Sequence, residues 1–591
     1  MATSVESFQV KVYQGDSAVL FAFDVADADR ADLAGFAIEC TPQGGAPYWV
    51  PNRLTFDTPI HADAPLKAGH YADSIDAPFQ SFHWVHFPPH AAAQLTYTVH
   101  ARYFVSTDPV RLETRATRTV TVTVTLQQPM SDWATVGMVR GYVSSQAFID
   151  HYGGNTALAP DKRAQTKSPL LYDTQPYQNK YAYLGATGRR LIIDLLNQCH
   201  ASEGYGIDVL AYDLDEPDII RAIAWLAQNG RKVRVIQDNY VGNGASPTGH
   251  GTDNAFETQA TDYFRQAGAD VRRTHLARFQ HHKAILLRDA AGKPVRVLAG
   301  SANFSLRGLY VQANSVLVFE QDAAQLYAQV FERLWGWIGQ YGEDAAGSRK
   351  VAAAFRADAL SANWQAVPQG STPRARFGFS PHQTDALLTE AADRVKGALS
   401  SVLFAVMATD GGGEMLTTLE QVVPHKAGLL SLGVIDKQGG VDAFAAGRDV
   451  PSQTVSFAYL KDEAPAPFKQ EVDAGTGQHI HHKFVVCDFN GDEPVVFCGS
   501  SNLSKGGEEQ NGDSLIAIYD PAIVTAYAIE AIRLFDHYRF RAGESKATAD
   551  KPLVLKPTGA WADPYYDPQN IKFTERTLFA KSGTAQEAVV A

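Results

Sequence analysis

Two short stretches of the chain carry the same reactive set. Residues 280–303 read QHHKAILLRDAAGKPVRVLAGSAN, and residues 478–502 read QHIHHKFVVCDFNGDEPVVFCGSSN. In each, a histidine and a lysine stand two apart: His281 with Lys283, and His481 with Lys483. On a strand that spacing puts both side chains on one face. Each apolar run then turns into a second one that ends in a small polar cluster, Gly300, Ser301 and Asn303 in the first and Gly499, Ser500 and Asn502 in the second. The two histidines are 481 − 281 = 200 residues apart, and the first stretch holds one extra residue between its histidine and its asparagine. The chain is therefore read as an internal repeat.

A duplicated His, Lys, Asn set suits displacement at phosphorus. The nucleophile and the acid that protonates the leaving oxygen must lie on opposite sides of the phosphorus, close to a line. Two equivalent half-sites facing each other across a pseudo-two-fold axis meet that requirement. One histidine attacks and becomes a phosphohistidine; the other protonates the leaving oxygen and then activates water or an alcohol. Two lysines and two asparagines hold the non-bridging oxygens. A zinc site built from His479, His481 and His482 is the competing reading. Lysine recurs at the same offset in both stretches while the third histidine does not, and an ammonium is a poor ligand. No metal and no cofactor is expected. His282 and His482 point to the opposite strand face, toward packing.

Two His-x-Lys motifs, each followed by Gly-Ser-x-Asn, resemble the phospholipase D superfamily, over roughly residues 180–550. The family's fuller motif, His-x-Lys-x₄-Asp, is matched by His481, Lys483 and Asp488, whereas position 288 of the first stretch is Arg288. The resemblance implies that His281 is the nucleophile and His481 the general acid and base, with Lys283, Lys483, Asn303 and Asn502 around the phosphate. It assigns Asp513, 513 − 481 = 32 residues beyond its histidine, to orienting His481. The same count from His281 reaches Ala313, so the first half lacks an orienting acid. Ser301, Ser500 and Asp488 are assigned to substrate binding, although Asp488 also reads as a structural acid at a strand end. The implied activity is metal-independent hydrolysis, with head-group transfer, of phospholipid-like phosphodiesters. A nuclease of the same superfamily and a degenerate binding protein are the alternatives.

The elements that position these residues follow from patterning. Strands alternate with amphipathic helices from about residue 181, as in Ile207–Ala211, then a helix with Ile219, Ile220, Ile223 and Leu226 on one face, then Val233–Ile236. The order recurs after about residue 375. The expected fold is α/β, with two pseudo-two-fold-related α/β/α halves at 133–345 and 375–550. Residues 1–128 alternate in the manner of a β-sandwich and resemble fibronectin type III or immunoglobulin-like modules. Residues 551–591 form a tail expected to pack on the catalytic domain, its last ten residues loose. Trp561, Tyr565 and Tyr566 read as packing residues rather than as a pocket for a ligand. The loop 243–254 reads as a surface loop and the DGGG of 410–413 as a plain turn. Arg272, Arg273 and Arg278 read equally as a positive field and as a solvated face.

With 591 residues, 45% hydrophobic and 20% charged, the chain is an ordinary globular protein of several domains. A net charge of −12 provides no global field for polyanions, so no nucleic acid partner is expected. The expected partner is a phospholipid or other phosphodiester, met in part at a membrane surface, and both half-sites in one chain imply a monomer. Cys40, Cys199, Cys487 and Cys498 form no zinc or disulfide framework and read as free thiols. No Sec leader and no spanning segment is legible, which gives a cytoplasmic location or export by another route.

Overall fold

The structure is a computed structural model. It describes residues 8–590 apart from 58–59, 61–70, 89–93, 127–130, 142–144, 154–156, 161–169, 243–248, 370–371, 408–411, 424–425, 427, 438–439, 446–452, 457–478, 545–552 and 581–585. Part of the glycine-rich loop, Asp410 and Gly411 of the DGGG turn, and Gln478 thus lie outside the described residues.

The N-terminal region is a sandwich of two four-stranded sheets. One runs in the order Gln586–Val590, Phe8–Gln14, Val19–Val25, His83–His86; the other runs Tyr48–Trp49, Leu33–Pro42, Gln94–Thr107, Val110–Thr125. Val120, Val122 and Val124 point inward while Thr121 and Thr123 face out, so strict alternation sets the core face. The C-terminal segment belongs to this module as well as to the catalytic one. Its last strand, expected to be loose, pairs antiparallel with Phe8–Gln14. Trp561 and Tyr565 sit in the sandwich core, and Trp561 Nε1 donates to Leu33 O at 2.8 Å. Leu578 and Phe579 are buried in the larger core, with Ile571 packed against it. Aromatic side chains this large need an apolar cavity, and the open end of the sandwich supplies one.

Each half of the remainder is built on one mixed sheet. The first runs Ala134–Val139, Asn314–Glu320, Pro294–Gly300, Ala284–Arg288, Gly206–Ala211, Lys232–Gln237, Asp270–Arg273. The second runs Gln365–Gln369, Thr372–Phe379, Ser514–Ile518, Val495–Gly499, Lys483–Cys487, Ser401–Met407, Leu430–Lys437, Gly440–Ala445, Gln453–Ser456. The central strands match one for one, down to the parallel step next to each His-Lys strand's antiparallel neighbour (Gly206–Ala211 on Lys232–Gln237, and Ser401–Met407 on Leu430–Lys437); the first sheet adds a second parallel step, Lys232–Gln237 on Asp270–Arg273. This is the expected α/β architecture preceded by an all-β sandwich.

The edge of the second sheet was not legible as strand. Gln365–Gln369 and Thr372–Phe379 carry Pro368 and Pro373, which lower strand propensity but are tolerated at an edge and at a strand's start. The first-half helix Pro217–Gln228 buries the predicted face, Ile219, Ile220, Ile223 and Leu226. Its cap is Glu216, which accepts from Ile219 N at 2.7 Å, rather than the neighbouring Asp215, which accepts from Leu306 N. All four cysteines are free and buried.

The halves are locked together by reciprocal bonds. Tyr327, on the helix Gln321–Tyr341, donates to Ser514 Oγ of the second half at 2.9 Å. Tyr527, 200 positions later on Pro521–Glu544, donates to Ser315 Oγ of the first half at 2.9 Å. Backbone bridges repeat the exchange. Gly512 N donates to Phe279 O and His281 N to Gly512 O, while Ala313 N donates to His479 O and His481 N to Ala313 O. Each histidine is therefore seated against the segment that follows the other half's asparagine.

Candidate active site

His281 and His481 stand just before the strands Ala284–Arg288 and Lys483–Cys487, and both are buried. The interchange of segments decides what each one touches. His281 Nδ1 lies 2.7 Å from Asp513 Oδ1, so the carboxylate assigned to His481 from the sequence serves the other histidine. His481 Nδ1 lies 2.9 Å from Asn314 Oδ1. Asn314 Nδ2 donates to Gly308 O at 2.9 Å and Ser301 Oγ donates to Asn314 Oδ1 at 2.9 Å, which fixes the amide with its oxygen toward the imidazole. Both histidines thus carry their proton on Nδ1 and leave Nε2 for chemistry.

The correction has a countable cause. Measured from the histidines, Asp513 pairs with Ala313. Measured from the asparagines, 513 − 502 = 11 and 303 + 11 = 314, because the first stretch holds one extra residue. Asn314 is the counterpart of Asp513, and the repeat contained the signal.

Lys283 Nζ donates to His281 O at 2.6 Å and Lys483 Nζ to His481 O at 2.7 Å, the same contact in both halves. Both ammonium groups are buried. Burial pulls the Lys283 ammonium down to about 8, and burial together with the Lys283 charge pulls Lys483 well below its usual range. The mutual influence of Lys283 and Lys483, and of each on the histidine of the opposite half, joins the two sets in one electrostatic site. His281 is lowered by burial, with Asp513 opposing and Lys283 reinforcing the shift. His481 falls further below its ordinary range, driven by burial and then by Lys483, Lys283, His281 and Arg307, and its Nδ1 partner is an amide rather than a carboxylate. Asp513 stays ionised: burial works against it, but His281 and Lys283 outweigh burial.

Asn303 Nδ2 donates to Asp213 Oδ2 at 2.7 Å. Among the described residues, the side-chain oxygens of Asn303 and Asn502 have no protein partner; as acceptors they cannot hold a phosphate oxygen, which only the amide N–H groups could meet. The two serines are used inside the protein. Ser301 holds Asn314 and receives Ser315 N, and Ser500 Oγ receives Ser514 N at 3.0 Å, so both brace the segment that carries the other half's partner residue.

Asp488 is at the far end of its strand, five residues or roughly 16 Å from the histidine end. It accepts from Leu399 N at 2.7 Å and Ser400 N at 2.8 Å and pairs with Arg394. In the first half the same position is Arg288, paired with Asp208 of the neighbouring strand. An ion pair survives there with its polarity reversed, which marks a structural position; the assignment of Asp488 to substrate binding does not hold.

Three further residues line the first half-site. The ring of Tyr212 packs edge-on to His281 at 4.6 Å, with Lys283 Nζ 4.9 Å from its centroid. Asp213 receives His250 Nε2 at 2.8 Å, and His250 Nδ1 lies 3.1 Å from Asp238. Asp238 in turn accepts Gln280 N, next to His281. The loop expected to lie passively on the surface therefore supplies a histidine that braces the site. Nothing in the sequence marks these single residues, which converge only through the fold. The ligand atoms of Asp213, His250 and Glu257 lie within 4.8 Å of one another. Both ring nitrogens of His250 lie within hydrogen-bonding distance of carboxylates, Nδ1 beside Asp238 and Nε2 beside Asp213, and these carboxylates hold its pKa well above the ordinary value. Arg272 and Arg273 donate to Trp335 O and to Asp238 O, while Arg278 is exposed.

Two interlocked His, Lys, Asn sets on pseudo-equivalent sheets define a phospholipase D-like domain. The profile of the family described as "Cardiolipin synthase, PLD-like domain" matches residues 192–335 and 452–535. The mitochondrial cardiolipin hydrolase of Xenopus tropicalis is 25% identical over 169 residues, 28% of this chain and 70% of the relative. That of Homo sapiens is 28% identical over 131 residues, 22% of this chain and 45% of the relative, so the match spans less than half of the human protein. Among solved structures, a phosphatidylserine synthase of Haemophilus influenzae Rd KW20 has a TM-score of 0.37 at 12% identity, covering 66% of this chain and 90% of the other. Nuc of Salmonella typhimurium, a phospholipase D family member, has a TM-score of 0.20 at 20% identity, covering 24% of this chain and 86% of the other. No helix among the described residues is long and apolar enough to cross a membrane.

Proposed function

We propose that the chain is a metal-independent phosphodiesterase of phospholipase D type that acts on phospholipid-like diesters through a phosphohistidine. The observation that carries this reading is the unlike pair of partners, a carboxylate behind His281 and an amide behind His481. When Nε2 of an imidazole bonds phosphorus the ring becomes cationic, and a carboxylate on Nδ1–H stabilises that charge while an amide does so weakly. This supports His281 as the nucleophile. His481 then gives its proton to the leaving oxygen and later takes one from water or an acceptor alcohol. Lys283, Lys483, Asn303 and Asn502 neutralise the non-bridging oxygens, work for which cations replace a metal. Asp213 holds the Asn303 amide and Tyr212 walls His281 on its own side.

A lipid-like substrate is favoured over a nucleic acid by the net charge of −12, because binding to a polyanion draws on basic surface and counterion release. The test is a panel of phospholipids, cardiolipin, DNA and RNA, run with and without EDTA, on the unaltered chain and on His281→Ala. The expected result is head-group or phosphatidyl release that EDTA leaves unchanged and that His281→Ala lowers by at least about a thousandfold. Cleavage confined to DNA or RNA would replace the lipid reading, and loss of activity in EDTA regained with zinc would contradict the mechanism.

A further inference from the structure

The two half-sites are alike in their lysines and asparagines and unlike in one atom pair, the group behind the second histidine. Asn314 and Asp513 are counterparts in the repeat, yet one is an amide and the other a carboxylate. The orientation of the amide is not free, since Gly308 O takes its N–H and Ser301 Oγ binds its oxygen.

We propose that Asn314 is a positioning residue that makes His481 a strong acid and a weak base, so that the covalent phosphoenzyme accumulates during turnover. The inference rests on the phosphodiesterase reading above. In the first step His281 Nε2 bonds phosphorus, the bond from phosphorus to the leaving oxygen breaks, and the proton of His481 Nε2 goes to that oxygen. In the second step His481 Nε2 takes a proton from water or an alcohol, the resulting oxygen bonds phosphorus, and the P–N bond returns its electron pair to His281. The same imidazole is acid in one direction and base in the other. Whatever weakens its hold on a proton speeds the first step, once it is protonated, and slows the second.

The largest influences on His481 all act in that direction, although Asp513 and Asp213 lie near enough to act on the adjoining Lys483. Lys483 lies on its own strand, Lys283 and His281 come from the opposite half, and Arg307 sits on the helix Leu306–Tyr310. A carboxylate at 314 would oppose them, as Asp513 does for His281. The amide does not. A long-lived phosphohistidine gives an alcohol time to bind and compete with water, which is the condition for head-group transfer.

The probe is bis-p-nitrophenyl phosphate mixed rapidly with the unaltered chain and with Asn314→Asp. The variant leaves one carboxylate oxygen against Gly308 O without a donor, a state that Asp513 Oδ2 already tolerates, having no partner among the described residues. The unaltered chain should release about one nitrophenol per site in a burst, followed by a slower steady rate. Asn314→Asp should shrink the burst, raise the steady rate at least about threefold, and move the pH optimum up by roughly one unit. The burst is read on the unaltered chain, so the proposal stays open to refutation even if the variant does not fold. Release without a burst, or a folded variant with unchanged steady rate and pH optimum, would overturn this inference alone. No release of nitrophenol at all would overturn the phosphodiesterase reading beneath it.

Discussion

At the scale of single residues, the site runs on the difference between two hydrogen-bond acceptors. An ionised Asp513 fixes the tautomer of His281 and compensates the charge that forms on attack, while Asn314 fixes the tautomer of His481 without compensating anything. Asp513→Asn should therefore keep the fold and the geometry and lower kcat by roughly a hundredfold or more, with KM changed little, because the interaction matures only as the imidazole becomes cationic. Steady-state kinetics on the substrate found in the panel would show it, and an unchanged kcat would reverse the assignment. The pH profile carries the same logic. His281 must be neutral and His481 protonated, and both groups lie below the ordinary histidine value of 6.5. Because His481 lies the lower of the two, kcat/KM should rise up to the His481 value, fall past the His281 value and peak between them, on the acid side of 6.5.

At the scale of elements, the strand that carries His481 and Lys483 does two jobs at its two ends. The histidine end is chemical, and the other end is anchored by Asp488 to Leu399 N, Ser400 N and Arg394. Asp488→Asn should cost about 1–3 kcal/mol of stability, read by denaturant unfolding, while kcat stays within about twofold. A collapse of kcat at full stability would return Asp488 to the site. Much of this was legible beforehand. The spacing of His281 with Lys283 and His481 with Lys483, and the two Gly-Ser-x-Asn clusters, located the reactive set, and the alternating pattern gave the sandwich and the α/β halves. Three things were not legible, each for a physical reason. The exchange of Asp513 and Asn314 arises from parallel bridges between segments far apart in the chain, Gln280 beside Gly512 (512 − 280 = 232) and Ala313 beside Ile480 (480 − 313 = 167). Tyr212, Asp213 and His250 converge from a strand end and a loop with no periodic pattern. The final strand pairs with the first, a contact that local sequence does not encode.

At the scale of the whole molecule, the sandwich, the second half and the C-terminal helix meet at one buried imidazole. His83 of the sandwich lies 2.8 Å from Asp536 on the helix Pro521–Glu544 and 2.8 Å from Glu575 on the helix Ile571–Ala580. Burial opposes its charge, but the two carboxylates outweigh burial and push it up to about 10. The folded value is raised above the ordinary 6.5, so the stabilisation is complete below that pH and is lost as pH rises through about 10. Thermal unfolding should show a midpoint that falls as pH rises from about 6.5 to about 10 in the unaltered chain, and His83→Gln should remove most of that fall at a cost of roughly 3 kcal/mol at neutral pH. An identical pH dependence in both would show that His83 is not the group responsible. The two halves share one site, and the proposed reading takes its unlike partners to mark His281 as the attacking histidine. The direct test of that claim is to map the covalent intermediate: incubate His481→Ala, which lacks the base for the second step, with bis-p-nitrophenyl phosphate, digest at alkaline pH where phosphohistidine survives, and locate the adduct by mass spectrometry. The account predicts the phosphoryl group on the peptide bearing His281, absent from the His281→Ala chain. An adduct found instead on His481, when His281→Ala is treated in the same way, would contradict it.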